Sequence, residues 1–361
     1  LRADALRWDE EEGNLYEATA EISGFGRKSV RFGVREFCAG DDGRLKLNGR
    51  TVFLRGETNC CIFPETGHMP MTVPEWEKIL AAYKSYGVNC LRFHSHCPPE
   101  AAFTAADRLG VLMQPELSHW DPRAAFEDDI SFRYYREELR LILHAYANHP
   151  SFVMLTLGNE LWTGEPGQQR MCELLAMARE TDPTRLYANG SNVGYGQAGA
   201  DAHSDFYTSQ KYFDEDLRGT FANMEGPINN RYPSAQAQYG KAMERIREAF
   251  QKPVFSFEVG QYEVLPDFGE IETFRGVTLP VNLEVIRRRA GEQGLLPRWK
   301  AYAEASGELA RLCYREEVEA ALRTDGLSGI SLLSLQDFPG QGTALVGMLN
   351  SHLQPKPYAF A

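Results

Sequence analysis

The sequence has no apolar run that approaches the ~20 residues needed by a membrane-spanning helix. Its first residues also lack the basic-then-apolar layout of a signal peptide. Acidic residues outnumber basic ones by 50 to 38, and the formal net charge of −12 argues against nucleic acid or an anionic membrane as a partner. The compartment stays open, cytoplasmic or exported, since we expect any signal peptide to lie outside this chain.

The cysteines contain neither a C-x-x-C pair nor the close spacing of a zinc site. They stand at Cys38, Cys60, Cys61, Cys90, Cys97, Cys172 and Cys313. The sequence also has no internal repeat and no low-complexity tract. We therefore predict reduced thiols and no structural metal.

With 361 residues, of which 43% are hydrophobic, the chain is long enough for one large α/β domain and a small appendage. Residues 15–22 and 28–37 alternate as strands do, and Gly24 and Gly26 mark a turn between them. This pattern predicts a hairpin. Because a single hairpin cannot close a core, we expect residues 1–37 to be the last strands of a β-sandwich domain of a longer parent chain.

Eight apolar runs follow, and amphipathic helical patterns separate most of them. The runs lie at residues 52–56, 88–93, 111–117, 152–157, 185–189, 206–209, 254–257 and 327–335. Such apolar strands, alternating with helices, favour a closed (β/α)8 TIM barrel over an open doubly wound sheet. We therefore predict an α/β chain in which residues 38–361 form this barrel.

Two carboxylates follow strands of the predicted barrel. The run at 152–157 leads into Gly158, Asn159 and Glu160, and the run at 254–257 leads into Glu258. The active site of a TIM barrel lies at the carboxyl ends of its strands. Two carboxylates there can flank a glycosidic bond, one protonating the leaving oxygen while the other attacks the anomeric carbon.

Four segments resemble motifs of glycoside hydrolase family 2. The sequence Gly-Asn-Glu at 158–160 looks like the family's acid/base motif, and Phe-Glu-Val-Gly at 257–260 resembles its nucleophile strand. Arg92 with Ser-His-Cys-Pro at 95–98 is similar to the family's R-x-S-H-Y-P stretch, and Phe-Gly-Val-Arg at 32–35 resembles the end of its immunoglobulin-like sandwich domain. The resemblance implies a retaining β-glycosidase of terminal sugars that needs no cofactor, with Glu160 as acid/base and Glu258 as nucleophile.

The sequence departs from the family pattern beside Arg92. Phe93 and His94 add one residue before Ser95, and Cys97 replaces the usual tyrosine. We therefore expect an altered sugar pocket. The choice among galactose, glucuronic acid, mannose and other sugars depends on long connections at 196–233 and 263–297, which we expect to build the substrate pocket or a partner interface. The oligomeric state is left open.

The barrel topology predicts a set of substrate-binding residues on the same face as the two glutamates. Aromatic rings stack on pyranose C–H faces, while amides and charged groups bind hydroxyls. The resemblance further implies that Asn159 holds the 2-hydroxyl of the sugar. The predicted set is Arg92, His96, Trp120, Asn159, Trp162, Asn189, His203, Tyr207, Tyr262, Gln336 and Asp337.

Other interpretations of the same residues remain open. Arg92 is alternatively an arginine of a core ion pair, and His96 a structural histidine. The His94-x-His96 pair, with His119, His203 and Asp337, imitates a metal-dependent amidohydrolase barrel. A third alternative is a catalytically inactive barrel that binds glycans.

Overall fold

The computed structural model describes residues 4–191, 201–219, 238–339 and 345–359. Of the long connection predicted at 196–233, only residues 201–219 lie within these ranges. Among the described residues, no helix is both long and apolar enough to cross a membrane.

An exposed hairpin stands near the beginning of the chain. Strands β1 (Tyr16–Ile22) and β2 (Gly26–Phe32) pair antiparallel, from Tyr16 opposite Phe32 to Ile22 opposite Gly26. The hairpin is thus present where the alternation predicted it. Its origin in a sandwich domain, and a domain boundary at residue 37, stay predictions.

A second small sheet joins this hairpin to the main body. It contains β3 (Phe37–Ala39), β4 (Leu45–Leu47) and β5 (Arg50–Thr51). Asn48 and Gly49 connect the last two strands with φ values of 54° and 83°. Positive φ at both positions is what a tight two-residue hairpin turn needs, and asparagine–glycine tolerates it.

Eight parallel strands form the main body. They are β6 (Leu54–Asn59), β7 (Cys90–Phe93), β8 (Leu112–Gln114), β9 (Met154–Thr156), β10 (Leu186–Ala188), β11 (Tyr207–Ser209), β14 (Val254–Gly260) and β15 (Gly329–Leu333). The short strands β12 (Lys211–Tyr212) and β13 (Glu215–Asp216) form a small hairpin after β11.

The parallel strands follow one another in a circle. Six of them pair in the order β11-β14-β15-β6-β7-β8, and β9 pairs with β10. A parallel bridge between Met113 and Phe152 links β8 to β9, and a hydrogen bond of 2.8 Å from Asp205 N to Tyr187 O links β10 to the segment before β11. Their carboxyl ends therefore meet at one rim.

Helices connect the strands and cover the outside of the barrel. They are α1 (Val73–Ser85), α2 (Glu100–Leu109), α3 (Asp129–Ala145), α4 (Glu165–Thr181), α5 (Gly240–Ala249), α6 (Val281–Glu292) and α7 (Trp299–Arg323). Local signals set their limits: the Asp128 side chain caps the start of α3, and Gly110, at φ 68°, ends α2 in the left-handed conformation.

The opposite rim of the barrel is closed by the residues that precede it. Trp8 is fully buried, and its indole Nε1 donates to Asp107 O at 2.7 Å. Trp8 belongs to an apolar cluster with Phe37, Leu54 and Phe255. This packing seals the amino ends of the strands and leaves the carboxyl ends open.

Candidate active site

The two glutamates predicted to carry the chemistry lie at the open rim. Glu160 follows β9 and is half-buried, whereas Glu258, near the end of strand β14, is 7% exposed. Their φ angles are 47° and 48°, in the left-handed region that residues with a side chain rarely adopt. Backbone strain of this kind is concentrated at functional sites.

Gly158 lets the chain reach this conformation after β9. Its φ is 145°, and a Cβ atom at this position would lie 2.4 Å from the carbonyl oxygen of His119. Only glycine avoids that overlap. The close approach aligns Asn159 beside Trp120, with which it forms a parallel bridge.

Arg92, in β7, connects four strands of the barrel. Its Nη1 donates to Glu258 Oε1 at 3.0 Å, its Nη2 to Asn159 Oδ1 at 2.6 Å, and its Nε to Glu116 Oε1 at 2.8 Å. Burial works to lower the pKa of this guanidinium, but Glu116 and Glu258 outweigh it and raise that pKa above its usual value. Arg92 thus ties the nucleophile candidate to the residue directly before Glu160.

Glu116 is the fully buried counter-ion of Arg92. Besides the guanidinium it accepts hydrogen bonds from Ser95 N at 2.8 Å, Thr156 Oγ1 at 2.9 Å and Ser191 Oγ at 2.9 Å. Burial opposes its ionisation, but Arg92 prevails and the pKa of Glu116 is lowered. The sequence analysis did not identify Glu116. It is nevertheless a polar residue near the end of the apolar run at 111–117, and polar residues at the ends of such runs mark the carboxyl rim of a barrel.

Arg218 is a second site residue that sequence reasoning missed. Its Nη1 donates to Phe257 O at 2.8 Å and also to the carbonyl of Glu258. Burial lowers the pKa of Arg218, while the negative charges of Glu258 and Glu160 both act to raise it. Both candidate carboxylates therefore lie within electrostatic range of one guanidinium. Arg218 stands in a connection without any motif, so no sequence signal marked it.

Two exposed indoles flank the carboxylates. Trp120 is 56% exposed and Trp162 is 51% exposed, which is unusual for side chains of this size. The ring of Trp120 meets His94 edge to face at 5.6 Å, and His94 Nε2 lies 3.9 Å from Glu258 Oε1. Burial and the charge of Arg92 lower the pKa of His94, so this imidazole is neutral at pH 7.

His96 lies on the neighbouring part of the rim, away from direct contact with the glutamates. Its Nε2 is 3.2 Å from Cys61 Sγ, and its ring meets Phe93 edge to face at 5.3 Å. Its described partners are thus structural neighbours, and a sugar-binding role stays a prediction.

Three predicted binding residues are directed elsewhere by their own hydrogen bonds. The amide of Asn189 donates to Asp201. The exposed His203 has its carbonyl bound by Arg179 near the end of α4, on the side where strands begin. The hydroxyl of Tyr207, at the start of β11, donates to Lys211 O at 3.0 Å.

Three others point into the packing around β14 and β15. The Tyr262 hydroxyl donates to the buried carboxylate of Glu317. Gln336 accepts from Tyr83 Oη at 2.9 Å and donates to Ser351 O at 2.8 Å. Asp337 is 1% exposed and pairs with Lys356 Nζ at 2.6 Å. The hydrogen bonds described for these six residues reach neither Glu160 nor Glu258, and their sugar-binding roles stay predictions.

The histidines of the metal-dependent alternative do not converge. His119 stacks on Tyr135 at 4.0 Å and meets Phe126 at 4.4 Å, and this burial lowers its pKa to about 4. In the part of the chain that the structure describes, no group of three histidine, cysteine, aspartate or glutamate side chains is arranged to hold a metal. The geometry therefore does not favour an amidohydrolase.

The eight parallel strands, with Glu160 and Glu258 at their carboxyl rim, have the architecture of a TIM barrel. The chain belongs to glycosyl hydrolase family 2, because the model of the family's TIM barrel domain matches residues 39–275.

Curated relatives carry the names of two glycosidase types. A putative β-glucuronidase of Formosa agariphila is 26% identical over 198 residues, which cover 51% of this chain and 18% of that protein. A β-galactosidase of Photobacterium profundum is 25% identical over 179 residues, or 48% of this chain and 16% of that protein. The match thus spans about a fifth of each relative's length.

Solved structures share the fold. A family 2 β-galacturonidase from Eisenbergiella tayi bound to galacturonate superposes with a TM-score of 0.70 at 16% identity, covering 99% of this chain and 59% of that one. A β-glucuronidase of Parabacteroides merdae gives a TM-score of 0.63 at 18% identity, covering 97% and 42%. At these identities the likeness concerns the fold alone, and it supports the TIM barrel predicted from the sequence.

Proposed function

We propose that this chain is the catalytic barrel of a retaining β-glycoside hydrolase, with Glu258 as nucleophile and Glu160 as general acid/base. The observation that carries the proposal is the hydrogen-bond network at the rim: Arg92 donates to Glu258 and to Asn159, the residue before Glu160, and Arg218 donates to the carbonyl of Glu258. Two carboxylates on one cleft are the minimal equipment for double displacement at an anomeric carbon.

In the first step, a carboxylate oxygen of Glu258 forms a bond to the anomeric carbon. The bond to the leaving oxygen breaks, and that oxygen takes the proton of Glu160. In the second step, Glu160 removes a proton from water, the water oxygen bonds to the anomeric carbon, and the ester to Glu258 breaks. The result is hydrolysis with retained configuration, and both glutamates return to their starting states.

The surrounding residues fit roles in these steps. The hydrogen bond from Arg92 holds the Glu258 carboxylate in position, and the bonds from Arg218 to the carbonyls of Phe257 and Glu258 hold its backbone. We assign the binding of the 2-hydroxyl, where contacts strengthen in the transition state, to Asn159, whose Oδ1 accepts from Arg92. Trp120 and Trp162 offer exposed faces for the substrate, a terminal β-linked sugar of a carbohydrate.

Kinetics of two variants test the roles of the glutamates and the double-displacement mechanism, and a substrate panel tests the sugar. We expect Glu258→Gln to abolish turnover of nitrophenyl β-glycosides, and Glu160→Ala to retain turnover only with good leaving groups, with azide restoring part of the rate. A panel containing β-glucuronide, β-galactoside and β-galacturonide identifies the sugar. The matched control is Glu263→Gln, an exposed glutamate five residues after Glu258.

Two results would contradict the proposal. Full activity in Glu258→Gln would remove the nucleophile assignment. Tight binding of a glycoside by the unaltered protein without any turnover would support the inactive glycan-binding barrel.

A further inference from the structure

A second cavity opens beside the end of β15. It measures about 620 Å³ and lies between the segment after β14, the first turns of α7 and residues 350–358. Among the described residues, its lining includes none of Arg92, Glu160 and Glu258. The cavity is therefore separate from the glutamate pair, and its size is typical of a small-molecule site.

One side of this cavity is aromatic. Phe268 and Trp299 stack with ring centroids 4.7 Å apart and an interplanar angle of 15°. The indole nitrogen of Trp299 donates to Pro266 O at 2.8 Å, which fixes the ring in place. Tyr358 adds a third ring, packed against Gly307 of α7.

The hydroxyl of Tyr358 lacks a hydrogen-bond partner in the part of the chain that the structure describes. The residue is only 8% exposed, and within the described ranges its oxygen makes no hydrogen bond. Burial raises the pKa of this phenol, and the charges of Asp337 and Glu270 raise it further, so the hydroxyl stays protonated beside two carboxyl groups. A buried hydroxyl without a partner is destabilising, and a ligand that binds it removes that cost.

Charged groups of both signs surround the hydroxyl. Asp337 is held by Lys356 Nζ at 2.6 Å and by Gly347 N at 2.8 Å. The side chain of Glu270 has no hydrogen-bond partner among the described residues, and burial, then Asp337, raises its pKa to about 7. The free carboxyl group, the lysine and the phenol together offer both acceptors and donors.

We propose that this cavity is a second carbohydrate site, which binds one neutral sugar unit. A pyranose has an apolar C–H face for the aromatic wall and hydroxyls that both donate to Glu270 and accept from Lys356 and Tyr358. The choice of a sugar over another polyhydroxylated compound rests on the proposed function.

The balance of charges selects against acidic sugars. Four carboxyl groups and two lysines line the described part of the cavity, namely Asp267, Glu270, Glu304, Asp337, Lys300 and Lys356. A uronate would meet this excess of negative charge. A neutral sugar avoids that penalty.

The test separates this cavity from the catalytic cleft. Calorimetric titrations use the Glu160→Gln/Glu258→Gln protein, so that no sugar is consumed, with cellobiose and lactose as neutral probes, glucuronate as the acid and spermidine as the cation. Into this background we introduce Tyr358→Phe or Glu270→Gln. Tyr358→Phe keeps the ring and removes the hydroxyl, whereas Glu270→Gln keeps the shape of the side chain and exchanges one carboxyl oxygen for an NH2 donor.

Matched controls are Tyr302→Phe and Glu272→Gln. Tyr302 is an exposed residue of α7, and Glu272 is exposed two positions from Glu270. We expect at least one neutral sugar to bind about tenfold or more weakly in each cavity variant and with unchanged affinity in each control.

Several outcomes would overturn the proposal: no binding of either neutral sugar, equal affinity in cavity and control variants, or tighter binding of glucuronate or spermidine that depends on the same two residues. Because the titration needs no turnover, failure of the hydrolase proposal leaves its result interpretable.

Discussion

Replacing Glu116 by glutamine would remove the charge that balances Arg92 beneath the rim. Glu116 is fully buried and receives two hydrogen bonds from the guanidinium, at 2.8 and 3.2 Å. Without that charge, Glu258, at 3.0 Å, is the ionic partner that Arg92 keeps among the described residues. We therefore expect both stability and the setting of the nucleophile to change.

The expected loss of stability is large for a single isosteric change. Breaking a buried ion pair by removing one partner costs about 3–5 kcal/mol, because a desolvated charge is left behind. Glutamine retains part of the hydrogen bonding with Ser95, Thr156 and Ser191, so we expect the lower end, about 3 kcal/mol. The catalytic rate falls as well, since Arg92 is drawn more closely to Glu258.

The pKa of Glu116 determines how this loss of stability depends on pH. The pKa of Glu116 is lowered in the folded protein, so its contribution is complete above the unfolded value of ~4.3 and is lost as pH falls through the folded value. The difference between the unaltered protein and Glu116→Gln should be constant near pH 7 and shrink only under acid conditions.

Denaturant unfolding at a series of pH values measures this difference. The matched control is Glu137→Gln, which breaks an exposed pair with Arg140 at 2.6 Å and should leave the free energy of unfolding unchanged. A Glu116→Gln protein as stable as this control at pH 7 would refute the role given to Glu116.

Other changes test the rim. Trp162→Ala should raise KM ~5- to 10-fold with little change in kcat or melting temperature, because half of the side chain is exposed; steady-state kinetics would decide. Gly158→Ala should lower stability by roughly 2 kcal/mol or more and reduce kcat, since a Cβ would lie 2.4 Å from His119 O; thermal unfolding shows it. Arg218→Gln should lower kcat roughly tenfold or more at similar KM by releasing the Glu258 backbone; an unchanged kcat would contradict this.

The barrel and the two glutamates could be predicted from the sequence because both depend on local pattern. Apolar runs predicted every barrel strand to within a few residues, and a polar residue after such a run marks the carboxyl rim. The rule identified Glu258, which directly follows an apolar run, and Glu160, which stands three positions after another. The family resemblance is confirmed by the match over residues 39–275.

Side-chain direction could not be predicted in the same way. Tyr207, Tyr262, Gln336 and Asp337 lie in or beside the right strands, yet their polar atoms bind groups in the packing around the barrel. The position of a residue at a strand end determines where its backbone lies. The direction of its side chain depends on partners that are distant in the sequence. For the same reason the sequence did not indicate a site role for Arg218, whose partners Phe257 and Glu258 lie about forty positions away.

We propose that Glu258 becomes covalently bonded to a sugar while Glu160 faces the same anomeric centre. Incubation with 2-deoxy-2-fluoro β-glycosides carrying a good leaving group, followed by mass spectrometry of peptides, tests this directly, because fluorine slows breakdown of the intermediate. We expect one fluoroglycosyl group on Glu258 of the unaltered protein and none on the Glu258→Gln protein. A protein that turns over the corresponding glycoside but is labelled at another residue, or not at all, would contradict it.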